Sequence, residues 1–199
     1  NYQNILLEAK HTNMSHHELL ETILKHECAL RNQNGIQHRI RNAKFPQRKF
    51  LEDFQAEVFS TDIQKKIHEL GSLDFIGKKE NVILIGNPGT GKTHLATALG
   101  IKACTDGFSV LYVSVPNLVI ELKEAMSKHQ VAQYKRKFDK YHLVILDELG
   151  YVSFDKEGSE ILFNLISNRN DIGSIVITTN LTFDRWEEVF KDPILTGAL

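Results

Sequence analysis

Eight consecutive residues, Gly86, Asn87, Pro88, Gly89, Thr90, Gly91, Lys92 and Thr93, carry the pattern G-x-x-x-x-G-K-T, with His94 directly behind them. Glycines let a backbone curl until successive N–H groups converge on phosphate oxygens. A helix that opens at the end of such a loop adds the positive end of its dipole. Lys92 supplies a cation for β- and γ-phosphates, and Thr93 a hydroxyl for Mg²⁺. The loop follows an apolar run at 82–85 and opens a helical pattern from residue 93, the context that gives this motif its meaning. The bland alternative is a glycine-rich loop that binds nothing, and eight matching positions weigh against it.

A second apolar run, 143–146, ends in Asp147 and Glu148. Asp147 is expected in the Mg²⁺ shell. Glu148 is expected to orient the attacking water or take its proton. A small-molecule kinase does not need this glutamate, because its substrate hydroxyl replaces water, so the pair favours hydrolysis. A third run, 175–178, leads into Thr179 and Asn180. Asn180 is the candidate to sense the γ-phosphate, with Thr179 the weaker one. Turns favour asparagine in any case, so this signal is slight by itself.

These groups need a scaffold, and the pattern supplies one. From residue 81, uniformly apolar strands (82–85, 110–113, 143–146, 175–178) alternate with helices near 93–104, 117–128 and 158–168. That alternation predicts an α/β fold, a doubly wound parallel sheet covered on both faces. Upstream, Ser15 and Glu18 have capping-box spacing. Leu19, Leu20, Ile23, Leu24 and Leu30 then recur at helical spacing. Asn34-Gly35 predicts a stop, 36–43 a second short helix, and Phe45-Pro46 its end. The division expected is a small helical domain over 1–48 and the sheet domain over 49–199. Within the latter, Leu51, Phe54 and Phe59 anchor a connector, and a helix is expected over 61–70.

Composition is that of a globular chain: 199 residues, 42% hydrophobic, 25% charged. No apolar run approaches the roughly 18 residues that cross a bilayer, and the first residues do not read as a signal peptide. The two cysteines, Cys28 and Cys104, exclude a disulfide framework and fit a reducing cytoplasm. Cys28 reads as a small core residue of its helix. The net charge of −1 hides an asymmetry, +4 over residues 1–50 and −5 over the rest. Residues 31–49 hold six bases and no acid. Such a run beside an acidic body is a candidate polyanion contact, with Arg39, Arg41, Lys44, Arg48 and Lys49 reading DNA phosphates. A solvated basic linker is the ordinary alternative.

In order and spacing, G-N-P-G-T-G-K-T-H-L-A, L-D-E-L-G-Y and I-T-T-N resemble the IstB-like ATPases. These are AAA+ helper proteins of bacterial insertion sequences and relatives of the helicase loaders DnaC and DnaI. The likeness extends through residues 39–46 and 51–54, and through Phe183, Trp186, Val189, Phe190 and Asp192. It implies a bacterial cytoplasmic ATPase of AAA+ type that binds ATP or ADP with Mg²⁺. It further implies ring or spiral homo-oligomers on double-stranded DNA, which is bent and handed to a transposase. It places Lys92 and Thr93 at the phosphate and Mg²⁺ positions, Asp147 and Glu148 at the acidic pair, and Asn180 at the first sensor. It also implies an arginine-bearing element and a last strand beyond Leu199, so the chain is expected to be a piece of a longer protein.

Several alternatives stand beside this. Arg169 is considered as a residue acting across a subunit boundary, against an ordinary solvated helix-end arginine. Lys135, Arg136 and Lys137 lie where related initiator ATPases insert a DNA-facing helix, though such triplets are commonly surface charge. The spacing of His17, Glu18 and Glu21 lacks a third metal ligand. Phe183, Trp186 and Phe190 read as packing residues on the final helix. A DnaC/DnaI-type helicase loader is the alternative function. A P-loop kinase predicts an arginine-rich lid in 149–174, which holds only Arg169. A non-hydrolysing DNA scaffold is the remaining possibility.

Overall fold

Two helices open the chain, α1 (Tyr2–His11) and α2 (His16–Ala43). The computed structural model describes residues 2–151 and 155–190. It divides into a first unit, Asn1–His38, and a second, Arg39–Leu199. The division falls ten residues before the 48/49 boundary anticipated, so Arg39, Arg41, Lys44 and Arg48 belong to the second unit. In the first unit, Ser15 and Glu18 form the expected capping box: the Ser15 amide and hydroxyl both donate to Glu18 Oε2 at 2.8 Å. α1 carries no sequence signal. Ile5 and Ala9 form its buried side, and the Tyr2 hydroxyl donates to Glu27.

The stop predicted at Asn34-Gly35 does not occur, because α2 runs on to Ala43. An interior glycine costs a helix only about 1 kcal/mol. Ile40 and Ala43 offset that by packing into the core of the second unit. The helix ends at Lys44, whose φ of 62° leaves the helical region ahead of Phe45-Pro46. Cys28 is exposed, which corrects its reading as a core residue.

The second unit is built on short 3₁₀ turns at Leu51–Asp53 and Ala56–Val58, then α3 (Thr61–Gly71) and α4 (Asp74–Lys78). There follow β1 (Val82–Ile85), α5 (Lys92–Thr105), β2 (Val110–Ser114), α6 (Val115–Ser127) and α7 (Val131–Phe138). Last come β3 (Leu143–Leu149), α8 (Lys156–Ser167), β4 (Ser174–Thr179) and α9 (Glu187–Phe190). The anticipated strands and helices of this stretch are all present. α4 and α7 are additions.

All described strand pairs are parallel, in the order β1-β4-β3-β2. The chain leaves β1 for the far edge and returns through β3 to β4, beside β1. Such a reversal opens a crevice at the carboxyl ends of the strands, where open α/β sheets bind ligands. The strands alternate faces with period 2. Leu111, Val113, Val144, Leu146, Ile175 and Ile177 pack with α6 and α8 on one face. Val110, Tyr112, Leu143, Ile145 and Val176 pack with α5 on the other. Each buried aliphatic side chain contributes about 1.5–3 kcal/mol. Trp186 and Phe190 join the first core as expected, whereas Phe183 is 57% exposed. The family-like positions at Asp192 and 196–199 lie outside the described residues.

Arg169 is neither solvated nor presented to a neighbour. Only 1% of its surface is exposed. Nη1 donates to the Phe138 carbonyl at 2.6 Å and Nη2 to the Tyr141 carbonyl at 2.7 Å, tying α8 to the entry of β3. Burial lowers its pKa, and the Asp139 carboxylate opposes that. Both readings made from sequence are thus corrected, since three carbons of reach allow a helix-end arginine to turn inward as easily as out. Arg169→Ala is expected to lower stability by about 3 kcal/mol, since charge-assisted hydrogen bonds contribute about 1.5–3 kcal/mol each. For a chain of this size that is a fall of about 6–12 °C in the melting midpoint. An unchanged melt with abolished turnover would instead favour a role across subunits.

Candidate functional site

The phosphate-loop candidates lie in the crevice, between β1 and α5. Asn87, Pro88, Gly89 and Thr90 are exposed, and Gly86, Gly91 and Lys92 are half-buried. Gly91 stands immediately before α5 with φ of +85°. A Cβ there would come within 3.0 Å of the Phe54 ring, so both conformation and space demand glycine. The loop is anchored at its start, where the Gly86 N–H donates to the Thr179 carbonyl, and the Thr90 hydroxyl closes it onto the Asn87 carbonyl. Lys92 folds back over the loop and donates to the carbonyls of Gly86 (2.7 Å) and Asn87 (2.8 Å). Burial lowers its pKa while the Asp147 carboxylate works against that. This keeps the ammonium on the loop that opens α5, at the helix N-terminus where an anion is favoured.

Thr93, first turn of α5, reaches across to β3. Its hydroxyl is 2.9 and 3.1 Å from the two carboxylate oxygens of Asp147. Asp147 is only 2% exposed, and Tyr112 and Thr178 each donate to it at 2.5 Å. The Tyr112 phenol is pushed well above its ordinary pKa, first by burial and then by that hydrogen bond, so it stays a donor. Three hydroxyls thus satisfy the lone pairs of this buried carboxyl group. Thr93 and Asp147 are hard oxygen donors, the kind Mg²⁺ takes one or two of alongside phosphates and water. Among the described residues no group of three or more His, Cys, Asp or Glu could hold a metal by itself.

Glu148 is exposed at the mouth of the same crevice. Its φ of +66° is rare for a residue with a side chain and costs about 1–3 kcal/mol. Asn180 follows β4 directly. Its Oδ1 is buried with no hydrogen-bond partner among the described groups. Thr179, the weaker sensor candidate, is committed to structure: its hydroxyl donates to the Leu149 carbonyl and accepts from the Leu181 amide. Gly150, next to the acids, has φ of +98°, and a Cβ there would strike Leu181 at 2.4 Å.

The structure thus gathers Gly86 to Thr93 with Asp147, and sets Glu148 and Asn180 at the ends of neighbouring strands. His94, a candidate nucleotide contact, lines the same cavity as Thr93, Asp147 and Glu148. Its Nε2 lies 3.3 Å from the Phe50 carbonyl and its ring meets Phe54 edge-on, so it braces the connector. Arg39, Arg41 and Lys44 border one cavity of about 380 Å³. Arg39 donates through Nε to the Cys104 carbonyl at 2.7 Å, closing the end of α5. Arg41 and Arg48 are exposed. Lys44 and Lys49 border a cavity of about 580 Å³ that is also lined by Thr93, Asp147 and Glu148. Lys135, Arg136 and Lys137 sit on α7, where Lys137 lies 5.7 Å over the Tyr134 ring.

Residues that sequence reasoning misses complete the crevice. Phe54, Phe59, Ile63 and Ile67 line an apolar groove that continues from the loop along β1. Phe54 and Phe59 are therefore more than connector anchors; their place beside the loop depends on a fold-back of the chain. Tyr112 does carry a signal, a polar tip in an otherwise apolar strand.

The chain that builds this crevice is matched by a known family. The model of the IstB-like ATP binding proteins matches residues 2–199. This chain belongs to that family. It is 35% identical over 198 residues to the insertion sequence IS21 ATP-binding protein of Pseudomonas aeruginosa, covering 99% of this chain and 74% of that one. Its fold is similar to that of DnaI (TM-score 0.63, 21% identity, 76% of this chain and 84% of that one). It is also similar to AMPPCP-bound DnaA from Aquifex aeolicus (TM-score 0.65, 18% identity, 78% of this chain and 48% of that one). This IstB-like chain is therefore an ATP-binding protein by family, and its fold is an α/β parallel sheet preceded by helices. Among the described residues no helix is long and apolar enough to cross a membrane.

Proposed function

We propose that this protein hydrolyses ATP with Mg²⁺ and uses the nucleotide state to assemble on, and remodel, duplex target DNA for a transposase in the bacterial cytoplasm. The observation that carries the reading is the convergence of the phosphate loop and the acid pair, Thr93 Oγ within 3.1 Å of both Asp147 oxygens. Loop amides and Lys92 hold the phosphates. Thr93 and Asp147 are the residues that would hold Mg²⁺, which supplies charge neutralisation on the β- and γ-phosphates when bound. Glu148 orients water and takes its proton, and Asn180 turns its amide to the γ-phosphate or to that water. The groove at Phe54, Phe59, Ile63 and Ile67 offers an apolar bed for the base.

Membership in a family of insertion-sequence ATP-binding proteins supports the transposition reading over a helicase loader. The chain's exposed cations support a DNA contact, and homo-oligomers would let each copy add phosphate contacts without sequence choice. Intact protein mixed with ATP, Mg²⁺ and duplex is expected to give ring or spiral particles around bent DNA in electron micrographs, and to bind its transposase. Preference for single strands together with a hexameric helicase would give the loader reading instead.

The cations need not contribute equally. Arg41 and Lys44 are exposed, whereas Arg39 already closes α5. Arg41→Gln with Lys44→Gln is expected to lower the salt slope of duplex binding by about 0.9 for each phosphate no longer neutralised. Arg39→Gln should act mainly on stability. Titration of binding against salt checks both, and an unchanged slope in the double variant would remove these residues from the interface.

A further inference from the structure

The acids stand at an irregularity of the sheet. β3 and β4 pair in register to Leu146 with Ile177 and again at Leu149 with Thr179, with a shift between. Asp147 and Glu148 together therefore oppose Thr178 alone, the two-against-one count of a β-bulge. Thr178 is 1% exposed and its hydroxyl touches both acids. It donates to Asp147 Oδ1 at 2.5 Å and accepts from the Glu148 amide at 2.9 Å.

A hydroxyl has one proton to donate and lone pairs to accept with, so one oxygen serves both bonds without conflict. A buried strand position asks only for β-branched bulk, which valine would fill without a polar atom to satisfy. Strand packing does not call for the hydroxyl, and both of its partners are the acid pair. Glu148 meanwhile sits at a disfavoured positive φ that persists only where its surroundings hold it. The bond to its amide does so.

We propose that Thr178 is a positioning residue: its hydroxyl pins the bulge that aims Glu148 and at the same time holds Asp147. This rests on the hydrolysis reading above. Thr178 touches no reacting atom and acts through the acids. Tyr112 and Thr93 keep Asp147 bonded when Thr178 is altered, so the loss falls hardest on the direction of Glu148. Misplacing a catalytic group by about 1 Å can lower a rate about 100-fold.

The test compares Thr178→Val, which keeps the shape, with Thr178→Ser, which keeps the hydroxyl. In Thr178→Val, kcat for ATP is expected to fall about 10- to 100-fold, with KM and the affinity for a fluorescent ATP analogue within about twofold. The Mg²⁺ concentration that half-saturates analogue binding is expected to rise in the same variant, a readout independent of turnover. Thr178→Ser is expected to restore both. In the unaltered chain the Glu148 amide is expected to exchange slowly with solvent, although its side chain is exposed. A Thr178→Val protein with unaltered kcat and Mg²⁺ dependence overturns the proposal. So does a folded Thr178→Ser protein as impaired as valine, or a rapidly exchanging Glu148 amide where valine fails to fold. Absent turnover in the unaltered chain would defeat the hydrolysis reading instead, leaving the Mg²⁺ and exchange readouts to judge Thr178.

Discussion

Exchanging Glu148 for glutamine is expected to lower ATP turnover by about 10²–10⁴-fold, the range that a positioned general base contributes. Glutamine has the same shape and can occupy the same exposed position beside the bulge, but its amide cannot take a proton. It removes no group from the phosphate loop, so nucleotide affinity should stay within a few-fold. The variant should then accumulate with ATP bound. If nucleotide state biases assembly, duplex binding and bending should survive or strengthen while release slows. Single-turnover hydrolysis with a parallel DNA-bending assay reads both. Turnover at the unaltered rate would move the base to another residue. Equal loss of affinity and rate would mean that Glu148 serves binding, not chemistry.

Lys92→Ala is expected to act one step earlier. The ammonium donates to the Gly86 and Asn87 carbonyls and so stands where it both shapes the loop and meets an incoming phosphate. Charge-assisted hydrogen bonds contribute about 1.5–3 kcal/mol. Losing one or two of them corresponds to a fall in ATP affinity of about 10- to 10⁴-fold, at tenfold per 1.4 kcal/mol. Calorimetry should show that weakening directly. Thermal melts give a second view. A ligand at 100 times its dissociation constant stabilises the folded state by about 2.7 kcal/mol, so ATP with Mg²⁺ should raise the midpoint of the unaltered chain and leave Lys92→Ala nearly unmoved. Unchanged affinity in this variant would remove the loop from the binding site and with it the reading of the whole crevice.

The two variants separate what the crevice binds from what it does. Lys92 belongs to a feature of consecutive residues, whose chemistry depends on one loop and the helix after it. Glu148 belongs to the seam between β3 and β4, and its usefulness depends on residues thirty positions away.

That difference also divides what can be read from the sequence from what cannot. The phosphate loop, the strands, the period of α5 and the Ser15–Glu18 cap are local patterns, set by neighbours in the chain, and they are legible. So is the parallel sheet, because uniformly apolar strands need helices on both faces. Conflicts between a local signal and distant packing are not legible. Asn34-Gly35 is a stop by local rules, yet Ile40 and Ala43 bury into the core and carry α2 through it. Cys28 sits in an apolar pattern, yet its side of the helix is exposed. Arg169 and Arg39 are cations that surface statistics leave in water, and each finds backbone carbonyls to close.

Short segments fix which groups can grip a phosphate and activate water, because side-chain chemistry and backbone curl are local properties. How those groups are aimed is a matter of long-range packing. The strand order β1-β4-β3-β2, the two-against-one bulge at Thr178, the Tyr112 donor on Asp147 and the fold-back of Phe54 onto Gly91 all join residues far apart in the chain. Such contacts are selected by the packing of the whole sheet, and one strand's pattern carries no record of which partner it will meet.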